Sequence, residues 1–422
     1  VAVEKVSPAV VNIYTSETGR PLRNPFRNFR NNLFDQFFQD FFSKNQNNKK
    51  NLGSGVLIDK EGHILTNEHV VARASQIRVA LSDKREFGAR VIGADIKSDL
   101  AIIKIDSEEF LPFVPMGRSD DLMIGEQVLA IGNPFGLRHT VTTGIISALN
   151  RNIRAGKNKV YSDFIQVDAS INPGNSGGPL LNINGSLIGI NTAIYQKAEG
   201  IGFAIPIDDA KRVVDELIHF GKVRRGWLGV SLQEIDPQLS HHFKLDRKKG
   251  VLVVRVAEKS PAKAAGLKRS DIILAIEGHE VTSKSDFRGR MASYTIDDNI
   301  RFSILRNGKS LEYVVRVISI PKQYVAEFTH SWLGLKVQQN NPRFARSNRL
   351  ATSKGMVVMN VVPKSAGDRT GISAGDVIRQ VNQDRIDSEE DYNKAIANLN
   401  NPDRILLLVQ RGRQGYYVTL EP

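Results

Sequence analysis

The second half of the chain repeats itself at a fixed offset, and this constrains the fold more than any other feature. Trp227-Leu228-Gly229-Val230 returns 105 positions later as Trp332-Leu333-Gly334-Leu335. The same shift carries Lys249-Gly250 to Lys354-Gly355, Lys259-Ser260 to Lys364-Ser365, Gly266-Leu267 to Gly371-Ile372 and Asp271-Ile272 to Asp376-Val377. A period of about 100 residues is too long for a solenoid and suits two tandem copies of one small domain. Boundaries are expected near Gly221 and Pro321, giving modules 221–321 and 322–422 behind a first block, 1–220. Each copy reads as short strands, such as Val251-Leu252-Val253-Val254 and Ile300 to Ile304, with helices around Asp286 and Asp391.

In the first block, apolar runs of strand type (Ile102 to Ile105, Gln127 to Gly132, Ser186 to Thr192) are separated by Gly, Asn and Pro turns. A helix from about Ile207 to Phe220 closes it. Many short strands with turn punctuation predict a mainly β sandwich or barrel pair, not a doubly wound sheet. The stretch 19–52 differs in kind: it is rich in Asn and Gln and carries Phe26, Phe29, Phe34, Phe37, Phe38, Phe41 and Phe42. Disordered segments are poor in aromatics, so these rings are expected to bury against another surface, a second subunit included; the alternative is a partly helical flexible loop.

Composition narrows the function. The 422 residues are 24% charged and 41% hydrophobic, the make-up of a globular protein, and contain no cysteine. Disulfide scaffolds, thiolate zinc sites and cysteine nucleophiles are thereby excluded. The net charge of +13 invites a nucleic-acid or anionic-membrane reading. The basic residues are scattered, however, and no aromatics interleave with them as on a base-stacking platform. Nucleic acid is therefore not an expected partner, while attraction to a membrane surface stays open.

Gly174-Asn175-Ser176-Gly177-Gly178-Pro179 places a hydroxyl in a turn whose glycines let backbone N–H groups point one way, as an oxyanion hole requires. Gly174, Asn175 and Ser176 are the candidate hole, with the amides of Gly174 and Ser176 as the natural pair; the bland alternative is a glycine-rich turn with an incidental serine. A serine needs a base. Of the eight histidines, His69 sits at a strand-to-helix junction, Leu65-Thr66-Asn67-Glu68-His69-Val70-Val71. Asp99, opening the apolar run Leu100 to Ile105, is the candidate to orient it, although capping a strand is the commoner fate of an isolated aspartate. The order His69, Asp99, Ser176 is that of the chymotrypsin-type double β-barrel. Six residues before the serine, where pockets for Lys or Arg hold a carboxylate, stands Ser170, which disfavours basic residues at the cleavage site.

Thr66–Val71, Ser98-Asp99-Leu100-Ala101, Gly174–Pro179 and Gly202-Phe203-Ala204-Ile205-Pro206 together resemble the HtrA (Deg) family of ATP-independent serine proteases, in its bacterial form with a trypsin-like domain and two PDZ domains. The resemblance covers nearly the whole chain. It implies that Ser176 attacks the peptide carbonyl, His69 moves the proton and Asp99 holds the imidazole, without metal, nucleotide or other cofactor. It also implies a pocket for small apolar side chains around Ile171, Tyr195 and Ile201, with Thr192, Ala193 and Ile194 also substrate-binding, although the loop Tyr195 to Gly200 is shorter than usual there. The Phe-rich stretch falls where the family has its long regulatory loop, and Arg151 at its sensor-loop arginine. Arg225-Gly226-Trp227-Leu228-Gly229-Val230 resembles the carboxylate-binding loop of the first PDZ domain, where a C-terminal peptide adds a strand. The second copy has His330-Ser331 in place of the Arg-Gly lead, so an assembly role is expected of it. The implied protein is a periplasmic endopeptidase for unfolded envelope proteins, built as a trimer or multiples of trimers; the rival is a chaperone scaffold with latent proteolysis.

Overall fold

Short strands punctuated by glycine and asparagine turns close into two six-stranded barrels in the computed structural model, which describes residues 2–16, 50–72, 74–132, 140–155, 159–172, 174–194, 200–243, 250–382, 384–397 and 404–421. The seven phenylalanines of the stretch 19–52 and Tyr195 lie outside the described residues. The first barrel comprises β1 (Val10–Ser16), β2 (Lys50–Leu57), β3 (His63–Thr66), β4 (Gln76–Ala80), β5 (Glu86–Asp95) and β6 (Leu100–Ile105), in the order β1-β2-β3-β6-β5-β4. The second comprises β7 (Gln127–Gly132), β8 (Thr140–Ala155), β9 (Lys159–Val167), β10 (Pro179–Asn182), β11 (Leu187–Ile194) and β12 (Gly202–Pro206). Its neighbours, β7-β8-β9-β12-β11-β10, repeat the first barrel's topology. The expected mainly β double barrel is the one observed.

Side-chain alternation explains the strands. In β4, Ile77 and Val79 point into the core while Gln76 and Arg78 face solvent. β6 breaks the alternation because it is covered on both faces: Leu100, Ala101, Ile102, Ile103 and Ile105 are all buried in one cluster with Ala210, Val213, Val214 and Leu217 of the helix Ile207–Phe220. Each leucine, isoleucine or valine among them contributes about 1.5–3 kcal/mol when fully buried. Asp208 and Asp209 suit the positive end of that helix, and Gly221 at φ 69° stops it, donating its N–H to the Leu217 carbonyl. Among the described residues no helix is long and apolar enough to cross a membrane.

Two compact units divide the chain: 1–224 with 229–316, and 225–228 with 317–422. In the first, the barrels are followed by a sheet of β13 (Val230–Glu234), β14 (Val251–Val256), β15 (Ile272–Ile276), β16 (His279–Glu280), β17 (Asn299–Arg306) and β18 (Lys309–Arg316). Its path is β13-β14-β15-β17-β18, with β16 paired to β15. The second unit holds β19 (Leu335–Gln339), β20 (Met356–Val361), β21 (Val377–Val381), β22 (Asp384–Arg385), β23 (Ile405–Arg411) and β24 (Gln414–Leu420), in the same pattern. The sequence repeat is thus a repeat of topology, and one polar clamp recurs with it. Arg306 grips the Asp271 carboxylate at 2.6 and 2.7 Å and the Gly266 carbonyl at 2.8 Å. Arg411 does the same to Asp376 at 2.7 and 2.8 Å and to the Gly371 carbonyl at 2.8 Å. Burial pushes the Asp376 carboxyl up, but Arg411 and the Tyr416 hydroxyl outweigh it and hold it below the usual carboxylate value.

Within the first unit, the helix Lys284–Met291 packs on β9. The Arg290 guanidinium pairs with Asp163 and lies 3.1 Å from Asp286, to which Asn152 on β8 donates at 2.9 Å. Burial raises the Asp163 carboxyl above its ordinary value despite the opposing charge of Arg290.

Candidate active site

β3 ends at Thr66 and a single helical turn, Glu68–Val71, begins two residues later, so His69 is held on a short rigid element. Asp99 adopts φ 56°, a left-handed conformation that aspartate tolerates better than most residues. That backbone turns the Asp99 carbonyl to the Asn67 side-chain amide at 3.0 Å and the Glu68 N–H at 3.1 Å. Its carboxylate accepts from the His69 N–H at 3.1 Å and lies 2.9 and 2.8 Å from His69 Nδ1. The imidazole is therefore fixed through both its backbone and its ring. Asp99 is only 2% exposed, and a carboxylate so buried requires donors.

The second barrel supplies one of them. Thr192, on β11, donates its hydroxyl to Asp99 Oδ2 at 2.8 Å. Sequence reasoning places Thr192 among the substrate-binding residues; in the structure its side chain faces Asp99. The signal for this contact was weak, because the partners lie 93 residues apart and belong to different barrels.

The serine turn precedes β10. The Asn175 N–H donates to the Asn172 carbonyl at 2.9 Å, closing a four-residue turn in which Gly174 has φ 105°. Gly177 (φ 83°) is required sterically: a Cβ there would lie 2.2 Å from the Ser54 carbonyl oxygen and 2.3 Å from Thr66 Oγ1. Gly177 and Gly178 are joined to Asn191 on β11 by a reciprocal pair of backbone bonds at 2.8 and 2.9 Å. Ser176 is 2% exposed and donates its hydroxyl to the Thr192 carbonyl at 3.4 Å. Of the three candidate residues, Asn175 commits its amide to the turn; among the described residues, neither Gly174 nor Ser176 donates its amide to a backbone carbonyl. Such a pair of N–H groups beside a serine is suited to a developing oxyanion.

The other residues singled out from the sequence are distributed as follows. Ile171 is buried in the second barrel's core, and Gly202 admits it closely, since a Cβ at 202 would fall 2.6 Å from Ile171 Cγ1. Ile201 is half-buried, Ala193 and Ile194 pair with Phe203 and Gly202 of β12, and Ser170 is exposed. Arg151 is exposed on β8 and donates to Gln166 on β9 at 2.9 Å. In the first unit, Val230 opens β13 and the Gly229 carbonyl accepts from the Ala257 N–H at 2.8 Å. In the second unit, Arg225 and Leu228 are buried, Gly226 precedes Trp227, and Trp227 bridges to Ile318 and packs its ring on Tyr324 with centroids 4.9 Å apart.

A trypsin-like peptidase domain model matches residues 53–190, and a PDZ domain model matches 226–317 and 331–421. Over 435 residues the chain is 42% identical to a probable periplasmic serine endoprotease, DegP-like, of Chlamydia pneumoniae, covering 99% of this chain and 88% of that one. The chain belongs to the DegP-like serine endoproteases. A DegP-like protein of the same description from Halomonas elongata is 36% identical, with 99% of this chain and 92% of that one covered. Among solved structures, the HtrA-type protease AlgW with tripeptide is 40% identical, with a TM-score of 0.55 over 76% of this chain and 96% of that chain. This DegP-like chain is accordingly a periplasmic serine endopeptidase of the HtrA type, with a trypsin-like domain and PDZ domains.

Proposed function

We propose that Ser176 is the nucleophile, His69 the general base and Asp99 the carboxylate that orients it. The observation that carries this reading is the Asp99 carboxylate gripping both His69 Nδ1 at 2.8 Å and the Thr192 hydroxyl at 2.8 Å, beside the glycine turn that holds Ser176. With Nδ1–H engaged by Asp99, His69 Nε2 is the basic nitrogen. It takes the Ser176 proton as Oγ bonds to the peptide carbonyl carbon, then returns it to the leaving amine. The carbonyl oxygen becomes an oxyanion facing the Gly174 and Ser176 amides, and water repeats the sequence to free the acyl-enzyme.

The substrates in this reading are unfolded or misfolded envelope proteins. Cleavage follows small apolar residues, in keeping with Ser170 in place of an acid and with Ile171 and Ile201 near the pocket. The segment Arg225–Val230 receives C-terminal peptides, Arg151 relays occupancy between subunits of a trimer-based assembly, and 19–52 regulates access. The +13 net charge supports contact with anionic membrane surfaces. No cofactor enters the reaction. A second reading, a chaperone with latent proteolysis, is favoured by one observation: the Ser176 hydroxyl is directed to the Thr192 carbonyl and must rotate before it attacks.

The test is incubation with reduced, unfolded casein in the absence of ATP, beside a Ser176→Ala variant, reading cleavage and suppression of aggregation together. Cleavage lost in the variant supports the protease reading. Aggregation suppressed with no cleavage by either protein supports the chaperone, and cleavage by Ser176→Ala rejects the assigned nucleophile.

A further inference from the structure

One side chain of the first barrel holds the serine turn of the second. Ser54, on β2, is completely buried and donates its hydroxyl to the Gly174 carbonyl at 2.5 Å. Its N–H donates to the Ser176 carbonyl at 2.9 Å, and its own carbonyl accepts the Thr66 hydroxyl at 2.7 Å. Ser54 thus grips the turn on either side of Asn175 and is itself fixed from behind by β3.

The Gly174–Asn175 peptide is a rigid plane. Its oxygen is held by Ser54 Oγ, and its N–H by the Asn172 carbonyl at 2.9 Å. With both ends fixed, the orientation of that plane is set; the Gly174 N–H belongs to the preceding peptide, which joins this plane through the Gly174 Cα, where φ is 105°. Glycine alone does not supply this constraint, because it passes readily between conformations that point its peptide groups in opposite directions. Were the preceding peptide to turn over about the Gly174 Cα, it would present an oxygen, where the reaction needs a donor, to a developing negative charge.

We propose that Ser54 is a positioning residue for the oxyanion hole: its hydroxyl, by holding the Gly174 carbonyl, keeps the Gly174 N–H aimed at the oxyanion. This rests on Ser176 being the nucleophile. Ser54 acts through the Gly174 and Ser176 backbone carbonyls, so its role is one of positioning. Without its hydroxyl the Gly174 carbonyl becomes a buried acceptor lacking its donor, and the turn relaxes to find another.

The experiment compares the full-length parent, Ser54→Ala and Ser176→Ala. It measures kcat and KM on fluorescent casein, the rate at which diisopropyl fluorophosphate inactivates the enzyme, and the melting temperature. The reagent phosphorylates an active serine through an oxyanion-like transition state and needs no specificity pocket. Loss of a whole oxyanion donor costs about 10²–10³ in kcat, so a misaimed one is expected to cost about 10–100-fold. Ser54→Ala should lose that factor in kcat and in the inactivation rate, with KM within about threefold of the parent and a folded melting profile. A kcat and inactivation rate within about threefold of the parent overturn the proposal, as does a loss that tracks falling melting temperature and rising KM together. Cleavage by Ser176→Ala overturns the nucleophile assignment and the proposal with it; an inert Ser176→Ala beside a fully active Ser54→Ala overturns the proposal alone.

Discussion

Replacing Thr192 by valine isolates a single hydrogen bond. The side chain is 1% exposed, valine has nearly its shape, and the backbone carbonyl that faces Ser176 is unchanged. What disappears is the donor 2.8 Å from Asp99 Oδ2. The carboxylate keeps the His69 N–H at 3.1 Å and Nδ1 at 2.8 and 2.9 Å, so its grip on the imidazole persists. A hydrogen bond to a charged group contributes about 1.5–3 kcal/mol. At about 1.36 kcal/mol per tenfold in rate, losing it from the transition state lowers kcat about 10- to 150-fold. An amide in place of the triad carboxylate, which imposes the wrong tautomer, costs about 10⁴, and Thr192→Val should stay well short of that. The assay is steady-state hydrolysis of labelled casein, with active sites counted by diisopropyl fluorophosphate and Asp99→Asn measured alongside. A fall in kcat of less than about threefold, a fall equal to that of Asp99→Asn, or an effect confined to KM refutes the reasoning.

Two further outcomes test the structure away from the chemistry. Arg290→Met leaves Asp163 and Asp286 facing each other without their cation; with side-chain exposures of 5% for Arg290, 18% for Asp163 and 2% for Asp286, removing one partner should cost about 3–5 kcal/mol. Urea denaturation of the full chain checks this, and a change under about 1 kcal/mol counts against it. Asp376, held below the ordinary carboxylate value in the folded protein, stabilises the fold above that value and loses its contribution as pH falls through its folded value. Calorimetric melting of the parent should therefore weaken as pH drops below about 4, and Asp376→Asn, less stable at neutral pH, should show a flatter acid dependence; equal slopes would disprove the assignment.

Local pattern carried much of this molecule and long-range geometry the rest. The helix Ile207–Phe220 was readable because its apolar residues keep helical spacing and Gly221 ends it. The two small sheets were readable because Trp227–Val230, Gly266-Leu267 and Asp271-Ile272 recur at one offset, whereas the Asp271–Arg306 and Asp376–Arg411 clamps emerge from the structure. The Gly174–Pro179 turn stood out because glycine-rich turns around a hydroxyl are rare. Thr192 and Ser54 did not, since each acts on a residue 93 or 120 positions away, and nothing adjacent to a threonine or serine in a strand announces a partner in another barrel. The left-handed φ of Asp99 was equally hidden, being imposed by the Asn67 and Glu68 donors that fold against its carbonyl.

The division of the site between the barrels bears on how such an enzyme comes into being. His69, Asp99 and Ser54 belong to the first barrel, Ser176 and Thr192 to the second, and the contacts joining them cross the seam. On the proposed roles, a chain with one barrel formed has a nucleophile without its base, or a base without its nucleophile. Neither intermediate can cut its neighbours or itself. On the proposed assignment, cleaving power appears only when the barrels seat against each other.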